Sequence, residues 1–204
     1  AGREGVGLDA EAVVLNLTAA ESDAVGYVTV WPAGTARPYA SSLNTVPGRI
    51  VPNLVIARLG TGGALDIYNF GGASHLIADV FGWFPANTGF HPLAPVRVLD
   101  TRSGVAVRGP LNQRLRTDVE ISCRAAVPAN AAAVALNVTV VNPSAEGYVT
   151  VWPAGAAQPN ASNINFVAGQ TVPNLVICKL GVDGMVSLRT SAGATHTLAD
   201  LVGW

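Results

Sequence analysis

GYVTVWPAG at Gly26–Gly34 recurs letter for letter at Gly147–Gly155. Within it Tyr27, Thr29 and Trp31 share one side of an extended chain and Val28 and Val30 share the other, the period-two alternation of a strand. One face is therefore aliphatic and suited to a core, while the other carries two aromatics about a threonine. Pro32 and Pro153 are expected to end their strands, because proline has no N–H to give to a ladder. Working outward, VPNLVI at Val51–Ile56 returns at Val172–Ile177. Asn16, His75 and Trp83 return as Asn137, His196 and Trp204, each 121 positions on (137 − 16, 196 − 75, 204 − 83). From Ala10 to Trp83 the copies align without a gap and roughly half of the positions are identical. A repeat of this length is a small domain, beyond the ~20–50-residue units of solenoids and propellers.

The rest of the chain reads as strands punctuated by Pro, Gly and Asn every ~8–12 residues, the spacing of sandwiches and barrels. In the second copy strands are expected near Val96–Asp100, Thr117–Cys123, Ala132–Val141, Tyr148–Trp152, Ser162–Val167, Asn174–Leu180, Val186–Thr190 and Thr195–Val202. The first copy repeats the last six near Ala12–Thr18, Tyr27–Trp31, Ser42–Val46, Asn53–Leu59, Leu65–Asn69 and Ser74–Phe81. Gly62-Gly63 and Asp183-Gly184 read as primed hairpin turns, which need positive φ. The expected architecture is all-β: two tandem antiparallel β-sandwiches of jelly-roll or immunoglobulin-like type, residues 1–86 and 87–204. The first lacks the equivalents of the two N-terminal strands of the second. An incomplete sandwich leaves backbone groups unpaired along an edge. The missing strands are expected from an upstream fragment, from a neighbouring molecule, or from Phe90–Cys123 folding backwards.

Half of the 204 residues are hydrophobic and only 12% are charged, yet no apolar run of ~18 residues exists, so no membrane-spanning helix is expected. A net charge of −1 gives no global support to binding nucleic acid or anionic lipid. Six arginines (Arg97, Arg102, Arg108, Arg114, Arg116, Arg124) crowd between the copies. With Asp100, Asp118 and Glu120 among them, they read as a solvated connection with internal ion pairs rather than a polyanion strip. The opening AGREGVG is not a signal peptide and reads as already processed.

FHPLAPVRVLDTR, LNVT, GYVTVWPAG, PNASNINF, TVPNLVI and HTLADLVGW, in that order, resemble a repeat module of secreted and cell-surface actinobacterial proteins. That module often occurs in tandem or appended to peptidoglycan amidases, peptidases and other exported hydrolases. The resemblance covers Phe90–Trp204 and, without its N-terminal third, Gly5–Phe84. It implies export, a bacterial surface setting and an accessory role, and it brings no catalytic site with it.

The candidate residues are weighed against that expectation. His75 and Asp79 recur as His196 and Asp200, four apart on a strand and so on one face. A hydrolase would need a nucleophile such as Ser41 or Ser162 beside them, but no G-x-S-x-G elbow exists. One histidine and one carboxylate are too few for zinc, so a buried histidine hydrogen-bonded to a backbone or carboxylate partner is expected. Asp100 and Arg102 should form a charge-assisted clamp. Asn16 and Asn137, Asn44 and Asn165, and Asn53 and Asn174 should brace loops to strands. Tyr27, Trp31, Tyr148 and Trp152 are candidates for packing, for an interface, or for stacking on sugar rings. Cys123 and Cys178 could be bridged in an oxidising compartment or be two free, buried thiols. The expected function is non-catalytic: a secreted or cell-surface structural or adhesive module that spaces, anchors or assembles its parent protein. The alternative is a carbohydrate-binding module that holds an enzyme on cell wall or polysaccharide. Expected partners are other copies of the module or a parent surface protein, with polysaccharide as an option. Nucleic acid, membrane insertion, cofactors and metals are not expected.

Overall fold

The structure is a computed structural model that describes residues 2 and 5–204. It is all-β. The strands are β1 (Ala10–Ala20), β2 (Gly26–Pro32), β3 (Leu43–Thr45), β4 (Val51–Arg58), β5 (Leu65–Phe70), β6 (His75–Pro85), β7 (Pro92–Asp100), β8 (Leu111–Asn112), β9 (Thr117–Glu120), β10 (Ala133–Val141), β11 (Gly147–Pro153), β12 (Ile164–Phe166), β13 (Thr171–Lys179), β14 (Met185–Thr190) and β15 (Ala194–Gly203). The only helical geometry among the described residues is a single 3₁₀ turn at Thr61–Gly63 and another at Val182–Gly184. Every expected strand is present within a few residues, and β2 and β11 end at Pro32 and Pro153. Only the two-residue β8 has no counterpart in the expectation.

The chain divides into two compact units, Ala1–Val96 with Gly203 and Arg97–Val202 with Trp204. The first contains sheets of order β4-β1-β6 and β3-β2-β5. Its core draws on both: Val13, Leu15, Leu17 and Ala19 of β1 and Val55 and Ala57 of β4 meet Val28 and Val30 of β2 and Leu43 of β3. Alternate residues of β1 thus turn inward and leave Val14, Asn16 and Thr18 only partly covered. Antiparallel sheets with one shared apolar core are consistent with a β-sandwich. The second unit has sheet orders β13-β10-β15-β7 and β12-β11-β14-β9, with β8 also paired to β15. Phe90–Cys123 therefore contributes β7 to the β15 sheet and β9 to the β14 sheet, and does not fold backwards to complete the first copy. Among the described residues, β6 and β5 have no strand on the side where β15 and β14 hold β7 and β9.

The turns correct one expectation. Gly62 (φ 69°), Gly63 (φ 64°), Asp183 (φ 55°) and Gly184 (φ 65°) do adopt positive φ, which glycine reaches freely and aspartate tolerates. They do not close hairpins. Each joins strands of different sheets, β4 to β5 and β13 to β14. The preceding glycine is fixed by crowding: a Cβ on Gly60 would lie 2.2 Å from the Ala33 carbonyl oxygen, and one on Gly181 would lie 2.1 Å from that of Ala154. The turn after β2 or β11 is thereby pressed against the turn after β4 or β13.

Candidate interaction surfaces and internal clamps

The duplicated motif residues repeat their hydrogen bonds. Thr29 Oγ1 donates to Ala40 O at 2.7 Å, and Thr150 Oγ1 donates to Ala161 O at 2.7 Å. Asn53 Nδ2 donates to Ser42 O and Asn174 Nδ2 to Asn163 O, both at 2.6 Å. The Val30 N–H finds Ser42 Oγ at 2.9 Å, whereas the Val151 N–H finds Asn163 Oδ1 at 2.7 Å. The partner differs and the bond is kept, as a buried N–H requires. Asn53 and Asn174 therefore brace loops as expected. Asn44 Oδ1 accepts from Ser41 Oγ, Asn16 Nδ2 donates to Thr18 Oγ1 at 3.4 Å, and Asn137 is buried.

The aromatics diverge between the copies. Trp31 Nε1 donates to Thr35 O at 3.0 Å and Trp152 Nε1 to Ala156 O at 3.2 Å. Trp31 is half-buried, but Trp152 is only 3% exposed, which removes it as a stacking platform for sugar. Tyr148 stays exposed. In the first unit the register sets Tyr27 opposite Phe70 and Thr29 opposite Tyr68. Tyr27 stacks on Phe70 with centroids 5.0 Å apart, Tyr68 lies 6.4 Å from Tyr27, and the Arg37 guanidinium sits 3.8 Å over Tyr68. In the second unit the matching positions are Arg189 and Ser191. There Arg189 Nε and Nη2 both donate to Gln113 O, and Ser187 Oγ donates to Asp118 Oδ1. The 101–120 segment thus occupies the face that in the first unit is an aromatic cluster. Tyr68, Phe70 and Arg37 were missed in the sequence. The signal was present, since Asp66, Tyr68 and Phe70 alternate on β5 beside Tyr27.

The polar clamp lies in the second unit. Asp100 accepts from Arg102 Nε at 3.0 Å, from Arg102 Nη2 at 2.8 Å and from the Arg102 N–H at 3.0 Å. Arg97 Nη1 reaches Asp100 at 3.0 Å, and its Nε and Nη2 bind Asp200 at 2.5 and 3.1 Å. Both carboxylates are buried. The Arg102 hydrogen bonds hold Asp100 down to about 2, against the opposing effect of burial. Burial pushes Asp200 up, with Arg97 acting against it. Arg97 carried no distinct signal in the sequence, for its partner Asp200 lies far along the chain.

His196 Nδ1 is 3.0 Å from Thr101 Oγ1, a hydroxyl that also accepts the Thr197 N–H at 3.0 Å. Thr101 is buried. The matched pair in the first unit behaves differently. His75 is exposed and lies 3.5 Å from the equally exposed Glu21, and Asp79 is exposed with no ion-pair partner among the described residues. The expected histidine bonded to a backbone or carboxylate partner is corrected: His196 is only partly buried and meets the Thr101 hydroxyl, Asp200 is buried against Arg97, and His75 and Asp79 are exposed, β6 having no covering strand among the described residues.

The bridged reading of the cysteines is also corrected: Cys123 and Cys178 are both free. Cys123 is exposed in a turn at φ 61° after β9, while Cys178 is buried on β13, and burial pushes its thiol up to about 11. Among the described residues no helix is long and apolar enough to cross a membrane, and no group of three or more His, Cys, Asp or Glu could hold a metal ion. No known protein family, curated protein or solved structure matches the chain.

Proposed function

We propose that the chain is a non-catalytic, extracellular structural or adhesive protein of two tandem modules that spaces, anchors or assembles a secreted or surface protein. One observation carries the reading: the residues that recur serve cohesion. The Thr, Asn and Trp bonds repeat in both units, whereas the recurrent His and Asp share no common site, clamped in one unit and bare in the other. Duplicated catalytic machinery would place the same groups in the same geometry twice. The strand order of the second unit, a five-stranded sheet that includes the two-residue β8 and a four-stranded sheet, favours the jelly-roll over the immunoglobulin arrangement. Export and surface location draw their support from the motif resemblance, and the free cysteines add none. Duplication suits this role, because two weak sites on one chain gain avidity without new chemistry.

The test is retention. A fluorescent protein fused to the chain and exported from an actinobacterial host should stay on the cell surface, and His75→Ala with His196→Ala should leave it there. Release of the fusion into the medium as a monomer bound to no other protein or surface would overturn the reading. The carbohydrate-binding alternative is favoured by the Tyr27, Tyr68 and Phe70 cluster. It expects retention on insoluble polysaccharide to be lost in Tyr68→Ala/Phe70→Ala with little change in melting temperature.

A further inference from the structure

The outer face of the β12-β11-β14-β9 sheet is built wholly from residues of the second unit, and it carries a cluster of guanidinium groups. β14 pairs Arg189 with Thr150 of β11 and Leu188 with Thr117 of β9, so Arg116, one residue beyond that last pair, comes beside Arg189. Residues two apart on a strand share a face. Arg116 accordingly reaches Asp118 at 3.0 Å, and Tyr148 shares the Thr150 side of β11, diagonal to Arg189 and within reach of a long side chain. Arg189 Nε and Nη2 donate to Gln113 O and its Nη1 donates to Gln158 Oε1, which leaves two of a guanidinium's five N–H groups. Asn112 Oδ1 accepts the N–H groups of Arg114 and Leu115, so the 112–115 turn is held from both sides. That turn presents Arg114 to solvent, with no ion-pair partner among the described residues.

We propose that Arg114, Arg116 and Arg189, with Tyr148 beside them, form a binding site for an acidic, uronate-containing polysaccharide. A planar guanidinium offers parallel N–H groups to a carboxylate, and the three cations here are all arginine, the fork that suits a carboxylate better than a point charge does. Exposed Tyr148 offers a flat apolar face with a polar edge to the neighbouring sugar ring. Gln158, exposed and held by Arg189, adds an amide for ring hydroxyls. Charge selects among occupants. Arg97 and Arg102 are committed to Asp100 and Asp200 in the clamp, whereas these three arginines meet only Asp118. Asp118 and Glu120 then continue the same face of β9 with the opposite sign. Duplex nucleic acid carries a negative charge about every 1.7 Å, and a patch this short, ending in two carboxylates, would repel it. A polymer with one carboxylate per sugar ring needs only the arginines and can leave the face across β11, away from Asp118.

This inference rests on the adhesive reading and names a ligand class for it. The test is calorimetric titration of the full chain with oligogalacturonate, with its methyl ester, and with a polyphosphate of similar length. Saturable binding of oligogalacturonate is expected, weakening as salt rises, with the uncharged ester bound at least roughly tenfold more weakly. Arg114→Glu, where the native side chain lies in solvent, should weaken binding about tenfold, the size of one hydrogen bond to a charged group. Tyr148→Ala should also weaken it, with the melting temperature of both variants unchanged. No saturable binding, equal binding of the ester, binding indifferent to Arg114→Glu, or tighter binding of polyphosphate would each overturn the proposal. Such a failure removes this site alone, because the adhesive reading is decided separately by surface retention.

Discussion

Arg97 holds two buried carboxylates at once, and its removal would leave both without their shared cation. Breaking a buried ion pair from one side typically costs about 3–5 kcal/mol. Arg97→Ala should lower unfolding free energy by about that amount in urea titrations, while the more exposed Arg102→Ala should cost less. The clamp also sets an acid response. Asp100 is held at about 2 against an ordinary 3.8, so its contribution is full above pH ~4 and is lost as pH falls through 2. The shift corresponds to about 2 kcal/mol. Asp200, raised by burial, has the opposite sign: its contribution is present at low pH and fades as pH rises, which makes the net acid loss smaller. The part of the acid response that Asp100 supplies lies between pH 4 and 2, and Asp100→Asn should remove it from the pH dependence of the denaturant midpoint. In the LDTR stretch the Asp100–Arg102 pair was legible, since spacing alone sets it. The Arg97–Asp200 pair was not, since only sheet order brings β7 to β15.

Among the strands, alternation and proline placed nearly every element, for the pleat forces side chains to opposite faces whatever surrounds them. The glycine turns were half legible. Positive φ is a local property, but whether a turn closes a hairpin depends on which sheet each flanking strand joins. Two glycines separate these effects. Gly62→Ala meets open space and should cost about 1–2 kcal/mol through its backbone conformation alone. Gly181→Ala would thrust a methyl to 2.1 Å from the Ala154 oxygen, forcing a backbone shift. It should cost more, at or beyond the roughly 1–3 kcal/mol of core overpacking. Thermal melts of the two variants check the order, and equal losses would show that crowding at Gly181 is relieved cheaply.

Across the whole chain, each unit has its own apolar interior, and the second also has both edges of its β15 sheet guarded by proline. Residues 87–204 expressed alone should fold cooperatively with a β-type dichroism spectrum. A fragment that stays unfolded or melts without a sigmoid would show that its stability comes from the first unit. The all-β class, the strand positions and the duplication were written in the chain, because period-two patterning and turn chemistry act over a few residues and survive copying. What became of each copied residue was decided by neighbours distant in sequence. Trp152 is buried and Trp31 half-covered, and Asp200 is clamped while Asp79 is bare. Identical letters met different fates because burial belongs to the packed sheet, and β7 and the segment after it lie beside only one of the two copies of these residues.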